Sequence, residues 1–466
     1  MASLRRTLSN LRGSESGFLA GVLAVTAAIL ILQLLVPPVI GLADQGDFAR
    51  VIGKFGYGPA PTPVNLKYAF VPARYVRDPS FAVPSWEHMT SEYLFVAAAL
   101  AISRGGAFDV RVIGITHGLV FLAAFAQLLW VTRNLRGHVL LWIAAVVAFT
   151  DAGYVAYWNS FYTEPASLLL FLLLLGETIG VGERGVVTPA SFFRWVLWAA
   201  LWMLAKPQNA PLAIPLILLL FRLRVWPARP IPVLWAAAGA GVVLAAAVVN
   251  VATLPGETRR APVYDMVFMA VLPESKNPST DLAALGLNPE LVRYSGTGAW
   301  SAGTAFADLK LTGAIGTTVT SLSVCRFYLM RPARLWKHLK SVLPRAMWLR
   351  PEWCGNFELD AGFPPGARST SFSLWSHVHE RVLTPLAKPI LFALVVSLPV
   401  TLLRWRRLAG PARRRGEIFV FLTVCCLVSF FVAAFGDAWD TVKHLCLFNF
   451  LLDAWLLFAV GATFVS

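Results

Sequence analysis

Charge is scarce in this chain and acidic charge scarcer still: 14% of its 466 residues are charged, 25 of them acidic against 40 basic. With 57% hydrophobic residues and a mean hydropathy of +0.64, too little polar surface remains for a soluble fold of this length. Cysteine is rare too. The five cysteines show no metal-ligand spacing. Cys425, Cys426 and Cys446 fall in apolar runs and read as packing residues. Cys325 and Cys354 share a long polar segment in which a disulfide is chemically permitted. No convincing G-x-G-x-x-G unit follows a strand pattern, so no dinucleotide-binding unit is legible. No internal repeat is visible, which weakens an inverted-repeat transporter. Val36-Pro37-Pro38-Val39 lacks the small residues of a cleavage site, so the first apolar run reads as an uncleaved span.

What the chain has in excess is apolar length. Ten runs, near 17–41, 110–132, 138–154, 163–180, 190–205, 209–222, 231–254, 385–403, 417–435 and 443–465, are candidates to cross a bilayer. They predict an all-α polytopic membrane protein, a bundle of about ten transmembrane helices. The expected parts are an N-terminal transmembrane module, 1–254, a large extracytoplasmic domain, 255–384, between spans seven and eight, and a C-terminal transmembrane module, 385–466. The first module includes a long outer loop, 42–109, with the stretch Gly56-Tyr57-Gly58-Pro59-Ala60-Pro61-Thr62-Pro63 and an interfacial helix near Glu92 to Ile102. Runs five and six are short and divided only by Lys206-Pro207-Gln208-Asn209, so they read as a hairpin that does not fully cross.

The net charge of +15 follows the same topology. Arg5, Arg6 and Arg12 precede the first span, and Arg404 to Arg415 fill the turn before the ninth. Short loops on that side carry an excess of twelve positive charges, as the positive-inside rule requires of cytoplasmic loops. Both termini are then expected to be cytoplasmic in a plasma-membrane protein. The basicity implies a lipid bilayer as partner and no nucleic acid.

Polar residues near the membrane gather on the other side. Asp44 and Asp47, spaced i, i+3, follow span one directly. Asp151 ends span three; Asn159, Tyr162 and Glu164 precede span four. Lys206, Gln208 and Asn209 tip the short hairpin, and Arg259 and Arg260 follow span seven. Asp437, Asp440, Lys443 and His444 join spans nine and ten, with Asn449 and Asp453 deeper. Taken singly, each has a structural reading as a cap, a headgroup anchor or a balancing charge. Their convergence at one end of a closed bundle is the stronger signal, because polar groups meeting in an apolar cleft mark a ligand site.

Six segments stand out: Asp44-Gln45-Gly46-Asp47-Phe48, Tyr157 to Pro165, Tyr264-Asp265-Met266-Val267-Phe268, Leu272-Pro273-Glu274-Ser275, Asp281 to Leu287 and Lys443 to Asn449. With them the chain resembles the GT-C glycosyltransferases, and among them bacterial glycan-biosynthesis hexose transferases of the WsfD type. The resemblance implies inverting transfer of a sugar from a polyprenyl-phosphate donor to a glycan, lipid or protein acceptor at an extracytoplasmic site. It implies that Asp44 or Asp47 is the general base. It implies no required cofactor, although two residues separate the aspartates where the family has one, which leaves divalent-metal dependence open.

The chemistry assigns the remaining expectations. A departing lipid phosphate needs cations, for which Lys206, Arg259, Arg260, Lys443 and His444 are the candidates. Asn159, Tyr162, Glu164, Gln208, Tyr264, Asp437 and Asn449 are the candidate substrate-binding residues. The competing functions are a transporter or flippase of lipid-linked sugars, which needs polar groups through the membrane depth, and an outer-face glycan polymerase or ligase.

Overall fold

The computed structural model describes residues 2–60, 68–84, 86–103, 106–134, 137–227 and 230–463 and, within them, side chains from residue 16 to 461. Pro61, Thr62 and Pro63, and the side chains of Arg5, Arg6 and Arg12, lie outside the described residues. All ten apolar runs are helical, because a chain in lipid must satisfy its own N–H and C=O groups. Among the described residues seven helices are long and apolar enough to cross a membrane: Ser16–Leu34, Val110–Thr132, Glu164–Arg184, Val233–Ala252, Ala387–Trp405, Gly410–Gly436 and Thr441–Gly461. The expected ten spans are not reached.

The three shortfalls have local causes. Run three breaks into His138–Phe149 and Ala152–Trp158, meeting at 43°, an eighth span only if the bent pair is counted as one. Asp151 sits at the break and accepts the Gly153 N–H at 2.8 Å, starting the second piece. Its other oxygen accepts the N–H groups of Trp375 and Ser376 at 2.7 and 3.0 Å. Run five, Pro189–Ala205, has 17 residues, about 25 Å of helix against a hydrocarbon core of roughly 30 Å. Run six begins as the 3₁₀ segment Pro207–Leu212 and becomes α-helical at Ala213–Leu223. Pro211, inside that segment, lacks the N–H group an α-helix would need there.

The chain is also not purely helical, which corrects the all-α expectation. Strands β1 (Tyr57–Pro59), β2 (Arg74–Arg77) and β3 (Ala107–Asp109) form a small antiparallel sheet, with Tyr57 opposite Arg77 and Tyr75 opposite Phe108. Its buried face is aromatic: Tyr75 and Phe108 pack on Phe161 with ring centroids 4.7 and 5.7 Å apart. The sheet thereby fixes the first loop to the segment ahead of the Glu164–Arg184 helix.

The 255–384 segment has its own apolar cluster around Tyr264, Phe268, Phe306 and Tyr328. It docks on the bundle through His338 Nε2, 2.8 Å from the Ala434 carbonyl near the end of Gly410–Gly436. Its later part reaches the first loop. The N–H groups of Gly41 and Ala43 each donate at 3.0 Å to the carbonyls of Asn356 and Gly355. Gly355 permits this approach, since a Cβ there would lie 1.8 Å from the Ala69 carbonyl oxygen. Cys354 and Cys325 are both free thiols, so the permitted disulfide is not formed.

At the opposite end the arginine-rich turns are paired with the few local acids. Arg194 forks onto Glu177 at 3.1 Å, Arg415 onto Glu183 at 2.7 Å, and Arg222 meets Glu417 at 2.7 Å. One end of the bundle thus carries the loops and the other the arginines.

Candidate active site

The peptide after the first span is shaped by Asp44. Its Oδ1 accepts the N–H groups of Gly46 at 2.7 Å and Phe48 at 3.2 Å, closing a tight turn. Gly46 takes φ 99°, which a side chain would resist. Phe48 then plugs between Phe161 and Tyr162, with centroids at 5.8 and 4.7 Å. The Asp44 Oδ2 carries no hydrogen bond among the described residues. Burial pushes this carboxyl up to about 6, two backbone N–H groups oppose the rise, and the neighbouring Asp47 charge adds to it.

Asp47 is the opposite case. Its Oδ2 receives Lys443 Nζ at 2.8 Å and its Oδ1 receives Arg50 at 2.8 Å. Burial would raise its pKa, but Lys443 and then Arg50 outweigh burial and hold it well below the usual carboxylate range. Lys443, 6% exposed, also bonds Asp440 Oδ2 at 2.8 Å and Gln45 Oε1 at 3.2 Å. An ammonium has three donors, and all three are committed. Lys443 therefore acts on a ligand by its charge, and can donate to one only by giving up a present partner.

Around this core the first loop, the hairpin tip and the last helix meet. Lys206 donates to Glu164 at 2.7 Å, both buried, and its charge acts on Asp47. Gln208 donates to the His444 carbonyl at 2.7 Å, and His444 Nε2 lies 3.2 Å from Asp437. The Tyr162 hydroxyl accepts the Gln45 N–H at 2.9 Å and donates to the Ala43 carbonyl at 2.8 Å, while its ring faces Lys443 at 5.2 Å. Asp44, Asp47, Tyr162, Glu164, Lys206, Gln208, Asp437, Lys443 and His444 thus form one neighbourhood.

Five of the expected residues hold the fold together elsewhere or stand apart. Asn159 donates to the Leu34 and Ile40 carbonyls at 3.0 and 2.8 Å, tying off the first span. Tyr264 is buried among Thr297, Thr304 and Ala305. Arg260 is bound to Ile315, Phe306 and Thr312 inside the 255–384 segment. Asn449 donates to the Trp348 carbonyl at 3.0 Å. Arg259 is exposed, with no ion pair among the described residues.

Other side chains belong to the neighbourhood although no role was expected of them: Gln45, Arg50, His88 and Asp265; Asp440 joins them from the convergent set between spans nine and ten. Arg50 was legible as the i+3 partner of Asp47. Asp265 lies within the Tyr264-to-Phe268 motif; His88 has no sequence signal. Asp265 accepts the Ala299 N–H at 2.6 Å. Burial and then the charge of Asp437, with Asp440 adding, push it from 3.8 up to about 8. A carboxyl raised on folding opposes the fold as pH climbs from 3.8, and the full penalty is present above about 8. Asp265→Asn keeps the acceptor and removes the charge. Its melting temperature in detergent is expected to exceed wild type by a margin that grows between those pH values; a constant or shrinking margin would contradict the raised carboxyl.

The deep ionisable groups Glu92, His117 and Asp453 are paired. His117 Nε2 lies 2.8 Å from Glu92, whose other oxygen takes the Ala166 N–H at 3.1 Å. Asp453 accepts from Tyr154 at 2.7 Å, Trp375 at 2.8 Å and His379 at 3.0 Å. Among the described residues no three His, Cys, Asp or Glu side chains converge as a metal site.

No curated protein and no solved structure matches the chain. The model of one family, described as the YfdI N-terminal transmembrane domain, matches residues 5–466. That transmembrane family and the seven apolar helices agree on a multi-pass membrane protein. The match spans nearly the whole length, and the chain belongs to the family of the YfdI N-terminal transmembrane domain.

Proposed function

We propose that this protein is a membrane glycosyltransferase. It transfers a sugar, a hexose by the GT-C resemblance, from a polyprenyl-phosphate donor to a glycan, lipid or protein acceptor, with inversion. The bent pair His138–Phe149 and Ala152–Trp158 counts here as an eighth crossing, so the arginine-rich end and both termini are cytoplasmic and the loop end carrying Asp44 is extracytoplasmic. The observation that carries the reading is the division between two adjacent carboxylates. Asp47 is clamped by Lys443 and Arg50, and is too weak a base to take a proton. Asp44 has an unbonded oxygen and a pKa near 6, close to where a general base works best.

In this mechanism the acceptor hydroxyl hands its proton to Asp44 Oδ2 as its oxygen attacks the anomeric carbon. The bond from that carbon to the phosphate oxygen breaks, and its electron pair leaves on the lipid phosphate. Arg50, Lys206 and His444 stand near the developing charge. Asp47 holds Lys443 and Arg50 in place. The saturation of Glu92 and Asp453 counts against a transporter, which would need deep polar groups free to change partners.

The test is incorporation of labelled sugar from polyprenyl-phosphate hexoses into membranes holding this protein, against membranes lacking it. No protein-dependent transfer with any such donor would end the proposal. Glycan and lipid profiling of cells without the protein identifies the donor that accumulates.

A further inference from the structure

His88 is built in a way its surroundings do not explain. Its backbone φ is 50°, a left-handed conformation that residues with a side chain seldom adopt. Four hydrogen bonds hold it there. The His88 N–H donates to Thr253 O at 2.6 Å and the Met89 N–H to Thr253 Oγ1 at 3.0 Å. Asn250 donates to Met89 O at 2.9 Å, and the Tyr93 hydroxyl to His88 O at 2.7 Å. That same hydroxyl lies 3.3 Å from the Arg50 carbonyl, which brings the backbone of His88 and of Arg50 close together. Local strain that its neighbours over-determine is a reason to look for function.

His88 is 8% exposed and its Nδ1 is buried without a partner. A buried orphan N–H is rarer than an orphan acceptor, so the proton belongs on Nε2, which carries no hydrogen bond among the described residues. Burial, then the Arg50 charge, lower the ring to about 4, so it is neutral near pH 7 and Nε2 is a donor. Arg50 commits one nitrogen to Asp47. Its other donors are unpaired among the described residues. The charges of Arg50 and Asp47 both act on the His88 ring, so two sets of free donors adjoin the Asp47 clamp, and they match a group that offers only acceptors.

We propose that His88 Nε2 and the free nitrogens of Arg50 form the subsite for the phosphate of the lipid-linked donor. The assignment rests on the glycosyltransferase reading but is testable without turnover. The full-length protein in detergent micelles is titrated with undecaprenyl phosphate and, separately, with undecaprenol, following tryptophan fluorescence. Melting temperatures of the unliganded variants are measured alongside. Glycine adopts this φ freely, so His88→Gly is expected to melt no lower than wild type. It is expected to bind undecaprenyl phosphate about tenfold more weakly, the loss of one hydrogen bond to a charged group, with undecaprenol binding unchanged. His88→Asn, which tolerates the conformation and keeps a donor, loses less. Wild-type affinity for undecaprenyl phosphate in both variants, or equal losses for the two lipids, overturns the subsite. If wild type does not prefer undecaprenyl phosphate to undecaprenol, the donor assignment of the proposed function falls with it.

Discussion

Asp44→Asn is expected to lower sugar transfer by ~10³-fold, within the range a positioned general base contributes, while leaving expression and membrane insertion intact. The asparagine amide oxygen can still accept the N–H groups of Gly46 and Phe48, so the turn survives and only the proton acceptor is lost. The pH dependence carries the same signature. Asp44 must be ionised to act, so wild-type kcat/KM falls about tenfold per pH unit on the acid side, below about pH 6. Asp47→Asn should behave differently. It weakens the hold on Lys443 and Arg50 and removes the nearby negative charge that helps to raise Asp44. The acid limb then moves to lower pH, and residual activity stays well above that of Asp44→Asn. Full transfer in the Asp44 variant, or an acid limb that Asp47→Asn leaves in place, removes Asp44 from the role.

The apolar runs made the helices predictable, because in lipid a long apolar segment has one backbone solution. The number of crossings was not predictable. It turns on Asp151, whose acceptors reach residues over two hundred positions away at Trp375 and Ser376, and on whether Pro189–Ala205 is long enough. The sheet escaped because its strands are three or four residues long and pair across loops. At the site, the meeting of Asp47 with Lys443 followed from both lying beside span ends on one side. Adjacency to a span end misled for Arg260, which turns into its own segment, and for Asn159, which ties backbone. His88 and the Glu92–His117 pair left no trace, because neither a conformation nor a partner 25 residues away is written in local pattern.

The largest stability effect is expected at Asp453→Ala. This fully buried carboxylate holds three donors from separate parts of the chain: Tyr154 in the bent pair, and Trp375 and His379 in the 255–384 segment. Removing it leaves a phenol, an indole and an imidazole without their acceptor in the bundle interior. The cost of breaking such a pair is about 3–5 kcal/mol. Asp453→Asn keeps an acceptor oxygen and should lose less. A double replacement by leucine at Asp453 and His379 removes both sides of the pair and should recover part of the loss, since well-packed apolar pairs often equal buried ionic ones. The pH dependence has a definite sign. Burial lowers His379, yet Asp453 outweighs it and holds the ring above its ordinary 6.5. The charged pair therefore contributes in full below 6.5 and fades as pH rises through the raised value. The melting-temperature gap between wild type and Asp453→Ala should be wider at about pH 6 than at about pH 9. An equal gap at both, or a loss under about 1 kcal/mol, would mean that Asp453 is no more than one of many ordinary hydrogen-bond acceptors in the bundle.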